Sequence, residues 1–306
     1  MMKAFGRRVA VDFKRNKYLL LMILPVLLYY LIFHYGPMYG ALIAFKDYVP
    51  RLGVWGSPWV GFEHFEKFLN NPSFWNVFKN TVLISGGQIL FGFPAPIILA
   101  LLLNEVRHSW YKRGIQTITY MPHFVSIMVI SGILVEFCSS NGILTQIVSF
   151  FSGGESRGLL LRAELFRPIY IISGIWQEVG FGSIIYLSAL SAIDSTLYEA
   201  GSIDGANRWQ QLLHITLPGI LSTIVVLFIM RIGRIMGVGY EKILLLYNPS
   251  TYETADVIST FVYRRGLLDM DYSFGAAVDL LNSLINMCML FAFNALSKKV
   301  ADQGLW

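Results

Sequence analysis

Charge is scarce in this chain. Only 14% of its 306 residues are Asp, Glu, Lys or Arg, while 55% are hydrophobic; a soluble globular chain carries roughly 25% charged residues. A water-facing domain of ordinary composition is excluded, and an integral membrane protein is indicated. Cysteine is nearly missing. Cys138 and Cys288 stand in separate apolar stretches, which leaves neither a disulfide framework nor metal-ligand spacing, and both read as packed apolar side chains. No block of Lys and Arg exceeds a few residues, so the net charge of +5 belongs to loops at a membrane surface rather than to a nucleic-acid groove. There is no G-x-x-x-x-G-K-[ST] phosphate loop, so the chain has no ready means of splitting ATP. There is no H-E-x-x-H or G-x-S-x-G either. An intramembrane enzyme would have to use His34, His123, Glu178 or Asp279, but these histidines lie at different span ends and read as interfacial polar residues. The apolar stretch after the basic start is too long for a cleaved leader and lacks a small-residue cleavage site, so it reads as a retained first span.

What the chain does have is long apolar runs. A transmembrane helix needs about 20 largely apolar residues. Residues 18–45, 80–104 and 114–135 contain no acid, Lys or Arg. Residues 168–193 are broken only by Glu178, and 217–240 only by Arg231 and Arg234. Residues 280–297 are uncharged, and their helix is expected to begin a turn or two earlier. The fold class predicted is all-α integral membrane, with six transmembrane helices. Pro25, Pro94, Pro96 and Pro122 fall within or beside the spans and predict kinks rather than straight rods.

Six spans place both ends on one side. Lysines and arginines divide almost evenly between the two sets of loops, so the total does not orient the chain. Six of them precede the first span, however, and the first helix usually dominates, which places both termini in the cytoplasm. The division expected is a cytoplasmic segment 1–17, a six-span domain 18–297 and a cytoplasmic tail 298–306. On the outer side, "VWGSPWVGFEHFEKFLNNPSFWNVF" interleaves aromatic and polar residues as an interfacial anchor does.

Between spans four and five lies the polar stretch "EAGSIDGANRWQQLLHITLP", inside a cytoplasmic loop at about 194–217. As helix, Leu197, Ala200, Ile203, Trp209, Leu212 and Leu213 form an apolar stripe opposite polar residues. Gly205 permits a sharp bend, and Pro218 suits the first turn of the next helix. Spacing alone leaves two uses open: docking into a partner's groove, or lying on the inner leaflet.

This stretch resembles the EAA loop of permease subunits in binding-protein-dependent ABC importers. That pattern is E-A-A, three residues, G, nine residues, then I-x-L-P. The chain has Glu199, Ala200, Gly201, Gly205, Ile215, Leu217 and Pro218 at that spacing, departing only at Gly201 for the second Ala. The departure softens the helix by up to roughly 1 kcal/mol. "GFEHFEKFLNNPSFWNVFKNT", "YMPHFVS", "VISTFVYRRGLL" and the tail "NALSKKVADQGLW" extend the resemblance over nearly the whole chain, and narrow it to the LplB-like group of oligosaccharide permeases. The resemblance implies a bacterial cell-membrane permease without cofactor or catalytic residues of its own. It implies a heterodimer with a second six-span permease, two cytoplasmic ATPases that bind ATP and Mg, an extracytoplasmic solute-binding protein and an oligosaccharide substrate, within membrane lipid and with no nucleic acid. It implies ATPase coupling through Glu199, Ala200, Gly201, Asp204, Gly205, Ile215, Leu217 and Pro218. A peptide or amino-acid importer shares this loop and stays open, as the sugar assignment rests on the flanking segments. A passive channel would need no docking loop.

Polar and aromatic residues inside spans usually face the bundle interior. The candidate sugar pathway is Trp176, Gln177 and Glu178 on span four, Tyr240 and Glu241 at the end of span five, and Asn282 and Asn286 on one face of span six. The alternative for the asparagines is interhelical hydrogen bonding. Arg231 and Arg234 share a helix face, and an arginine facing lipid is costly. They either pair with Glu178 or Asp279, or attract an anionic, uronate-bearing sugar by two-pronged contact with its carboxylate.

Overall fold

The computed structural model describes residues 16–153, 157–301 and 304. The basic residues Lys3 to Arg15, and the tail beyond Ala301 apart from Gly304, lie outside these. The described residues are almost entirely helical; their only strand-like feature is a single bridge between Lys46 and Trp59.

Helix α1 (Lys17–Phe45) contains the first charge-free run, residues 18–45. None of Lys17–Tyr30 is buried by the rest of the chain. Only its tightened last part, Gly36–Phe45, rests on the final helix. The chain returns through a loop closed by Lys46, whose Nζ donates to the Val54 carbonyl at 2.7 Å, into a short helix, α2 (Glu63–Leu69). Helix α3 (Phe74–Glu105) widens by one residue per turn at Gln88–Gly92, just before Pro94 and Pro96. Such widening accommodates the ring and the missing N–H of a proline.

The third apolar run is not one rod. It forms α4 (Ser109–Phe124) and α5 (Ile127–Phe137), which meet at 98°. Pro122 lies in the last turn of α4, and Ser126 caps α5 by accepting from the Val129 N–H at 3.3 Å. Next come α6 (Ile143–Ser152) and the long α7 (Ala163–Ser191), then α8 (Ser195–Ile203), set at 68° to α7. Helix α9 (Arg208–Ile232) is shorter at its far end than the run of residues 217–240 predicts. It stops at Ile232; residues 233–239 form a turn, and Tyr240 begins a separate helix, α10 (Tyr240–Leu246). A bent helix, α11 (258–268), precedes α12 (Tyr272–Ala301), which starts two turns before residue 280 as expected. By length and composition, α1, α3, α9 and α12 can each cross a membrane; counting the bent pairs α4/α5 and α7/α8 as one span each brings the total to six.

Three apolar cores hold the bundle. Ile84, Phe166, Tyr170, Val238 and Ile243 join α3, α7 and α10. Phe68, Val77, Phe261, Phe274 and Val278 join α2, α3, α11 and α12. Ala100, Tyr186, Leu190 and Ile220 join α3, α7 and α9. Polar contacts pin the loops at each end. Arg208 reaches Glu105 at 3.1 Å, so the end of α3 and the start of α9 share a side. Lys67 reaches Asp271 at 3.2 Å, and the Tyr48 N–H donates to Ser273 Oγ at 2.9 Å, bringing the segments before α3 and before α12 together. Within α11, burial disfavours the charge on Arg264, but the carboxylate of Asp256, just before the helix and 2.5 Å away, outweighs it and raises the guanidinium's pKa.

Candidate functional site

The break after α9 builds the site. A turn inside an apolar bundle frees backbone N–H and C=O groups that neighbouring side chains must satisfy. Ser85 on α3 donates to the Ile235 carbonyl. The Met236 N–H donates to Asn286 Oδ1 at 2.9 Å, and Asn282 Nδ2 donates to the Met236 carbonyl at 3.5 Å. Tyr170 on α7 donates to the Gly239 carbonyl at 3.4 Å, and Ser259 on α11 donates to the Val238 carbonyl at 3.1 Å. Five side chains from four helices thus hold the 233–239 turn.

The turn swings the end of α9 and the start of α10 around one cavity of about 560 Å³. Of the residues expected on the sugar pathway, Gln177, Glu178, Arg231, Arg234, Tyr240 and Glu241 line it. Trp176, Asn282 and Asn286 do not. The asparagines bracket the Met236 peptide instead, and Trp176 is half exposed on the outside of α7. Tyr240 and Glu241 do not end span five; they open α10. Arg234 sits in the turn rather than on the helix.

Among the described residues, neither Arg231 nor Arg234 forms an ion pair with Glu178 or Asp279. Arg231 instead reaches Gln88 Oε1 at 3.5 Å. Glu178 is engaged elsewhere: its Oε2 lies 3.0 Å from Nδ1 of His123, whose ring stacks on Phe181 with centroids 3.8 Å apart. Asp279 is exposed on α12.

Sequence reasoning did not single out Gln88, Tyr170 or Lys242, which also line the cavity. Lys242 is 6% exposed, and its Nζ stands 5.3 Å from the Tyr170 ring centroid. Burial lowers the pKa of its ammonium to about 8, while the charge of Glu178 works the other way. The available signal was the run "YEKILLL", where polar residues open a helix too short to be a span. A second cavity, of about 300 Å³, shares Gln88, Gly174, Glu178 and Arg231 with the first and extends along α7 to Tyr186.

The polar loop between α7 and α9 folds as two short helices around Gly205, whose φ of +77° only glycine adopts without strain. Asp194 caps α8 by accepting from the Thr196 N–H at 2.9 Å, which lowers its carboxyl pKa. Asn207 and Gln210 form a reciprocal cap at the start of α9. Gln211 Nε2 donates to Ser202 Oγ at 3.0 Å, and Tyr198 meets Thr216 at 3.0 Å, which folds α8 back onto α9. A methyl group on Gly201 would lie 3.1 Å from Ile215 Cδ1, so a small residue is needed at that contact. Glu199, Ala200 and Asp204 stay exposed. The stripe of Leu197, Ile203, Trp209 and Leu213 is uncovered, with Ile203 86% exposed.

With this geometry in place, comparisons with known proteins agree with one another. The family described as binding-protein-dependent transport system inner membrane component matches residues 92–302. Protein LplB of Bacillus subtilis (strain 168) is 45% identical over 294 residues, 96% of this chain and 92% of its own. The polygalacturonan/rhamnogalacturonan transport system permease protein YteP of the same organism is 42% identical over 301 residues, 98% of this chain and 94% of its own. A chain in the crystal structure of a bacterial alginate ABC transporter, in complex with alginate pentasaccharide-bound periplasmic protein, superposes with a TM-score of 0.88 at 43% identity, covering 97% of this chain and 100% of that one.

Proposed function

Because the chain belongs to the family of binding-protein-dependent transport system inner membrane components, a multi-pass membrane subunit and not an enzyme, we propose that it carries acidic, uronate-bearing oligosaccharides into the bacterial cytoplasm. The observation that carries the substrate class is the cavity itself. Arg231 and Arg234 open into it, and no acid among the described residues is paired to them. A guanidinium offers a planar pair of donors that matches a carboxylate, and an arginine unpaired at membrane depth is costly without a use. Polygalacturonan and the acidic polysaccharide alginate, the substrates named for relatives, both present such carboxylates.

In this reading, 18–297 is the permease domain between a cytoplasmic segment 1–17 and a cytoplasmic tail 298–306, and the 194–217 loop lies in the cytoplasm. The chain pairs with a second, homologous permease, two ATPases and an extracytoplasmic solute-binding protein. The exposed stripe on α8 and α9 seats in an ATPase cleft, with Glu199 facing a basic residue there and Gly205 allowing close approach. ATP-driven closure of the ATPases turns the permease pair outward, the binding protein releases its sugar into the cavity, and hydrolysis resets the pair.

The test is competitive uptake of acidic and neutral oligosaccharides of equal length by the reconstituted importer. Wild type is expected to prefer the acidic sugar, and the double variant Arg231→Gln/Arg234→Gln to lose that preference while still assembling. Preference of the wild type for the neutral sugar, or equal loss of both in the variant, overturns the acidic assignment.

A further inference from the structure

The cavity holds a third cation, and it differs in kind from the two arginines. Arg231 and Arg234 are exposed, whereas Lys242 is 6% exposed and its Nζ has no hydrogen-bond partner among the described residues. A buried ammonium without an acceptor is costly, because the three donors it gives up to burial are not replaced. The chain offers two acids in the same cavity, and neither bonds to it. Glu178 is held by His123 at 3.0 Å, and Glu241 is exposed beside the lysine in the sequence. The Tyr170 ring supplies an electron-rich face 5.3 Å away, which stabilises a cation but accepts no hydrogen bond. The missing acceptor has to come from what enters the cavity.

We propose that Lys242 is the seat of a carboxylate-binding subsite, taking one uronate group of the passing oligosaccharide into the wall formed by Tyr170, Gly174 and Gln177. This rests on the reading of the protein as an acidic-sugar permease and adds the place where discrimination occurs. The exposed arginines draw the anion in, and the flexible four-carbon stem of Lys242 lets its ammonium meet one carboxylate at the wall. A neutral sugar leaves the buried ammonium unsatisfied, and rejection of this kind is steeper than any difference in shape provides.

The experiment uses the complete importer with its ATPases, carrying wild type, Lys242→Gln, Lys242→Met, Lys242→Arg or Trp176→Ala. The probes are a uronic-acid tetrasaccharide and its methyl ester, which has the same length without the charge. Uptake by wild type in the presence of the binding protein tests the underlying reading; no uptake of uronic-acid tetrasaccharides sinks that reading by itself. Equilibrium binding of each probe to the importer without the binding protein tests the subsite. The acid is expected to bind about ten-fold more weakly in the Gln and Met variants, the scale of losing one charge-assisted contact. In Lys242→Arg its binding stays within about three-fold of wild type, because the charge is kept. The ester is expected to bind Lys242→Gln and Lys242→Met no more weakly than wild type, because no buried ammonium is then left unsatisfied. Acid binding unchanged in Lys242→Gln, equal losses for acid and ester, no acid binding to wild type, or the same loss in Trp176→Ala would each overturn the subsite. So would failure of both neutral variants to assemble while Lys242→Arg assembles, since the ammonium then serves the fold rather than the sugar.

Discussion

Single residues set how the cavity responds to pH and to mutation. Lys242 is held at about 8 by burial, below the ordinary 10.5. A lysine with a lowered pKa gives up its charge as pH rises through that value, so an anion that depends on it is held below about pH 8 and released above. The groups that share the cavity with it are Tyr170 and Glu178 on α7, Arg231 at the end of α9, Arg234 in the turn and Glu241 on α10. Uptake of a uronic-acid tetrasaccharide is therefore expected to fall several-fold between about pH 7 and pH 9, with Lys242→Arg flattening the curve; a flat wild-type profile counts against the assignment. Asn286 calls for a different test. Asn286→Ala strips the Met236 N–H of its 2.9 Å acceptor, a loss of about 1–3 kcal/mol for a buried donor, so the importer should melt at lower temperature in a thermal-shift assay and transport less. Trp176→Ala, on the outside of α7, should change neither. Both outcomes depart from what residue type alone suggests. Tryptophan and asparagine are sugar-binding residues by chemistry, and only the side of the helix they occupy decides their use. Lys242 was hidden for the related reason that its aim into the cavity depends on a turn held by Ser85, Tyr170, Ser259, Asn282 and Asn286, all distant from it in the chain.

At the scale of elements, the apolar runs were legible because a span must be charge-free along its length, and α1, α3, α7, α9 and α12 fall where those runs lie. The breaks were less so. Pro122 and the glycines after Arg231 permit a turn, but a break at membrane depth also needs partners for the freed backbone, and these come from other helices. The bend at Gly205 was readable because glycine carries its own conformational licence. Gly205→Val forces a branched side chain into φ +77°, at a cost of about 1–3 kcal/mol. Together with Glu199→Lys it is expected to abolish substrate-stimulated ATPase activity in the reconstituted importer while leaving the protein in the membrane. Gly201→Ala is expected to couple normally, since Ile215 Cδ1, 3.1 Å from the new methyl, is the movable end of a side chain. Undiminished coupling in both Glu199→Lys and Gly205→Val removes the loop from the proposed route of energy transfer.

At the scale of the whole molecule, large surfaces are left without cover. In the first half of α1 no residue is buried by the described chain, and Asp279 on α12 is exposed. Lipid can cover the apolar side chains of α1 but receives a carboxylate poorly. A protein chain on the α12 face relieves that cost, which is the physical case for the proposed second permease. Expressed with that partner, the chain should give a larger monodisperse fraction in detergent than when expressed alone, with Asp279→Asn narrowing the gap; equal fractions with and without the partner remove this argument for the pair.

The turn that follows α9 has a mechanical consequence. Four helices tied to one short piece of backbone behave as a keystone does between stones: none slides far without breaking a contact in the middle. Motion that opens the cavity to one side and then to the other must therefore carry α3, α7, α11 and α12 as a single block around the turn. The compliance has to sit outside that block, and the first half of α1, in which no residue is buried, is where movement begins.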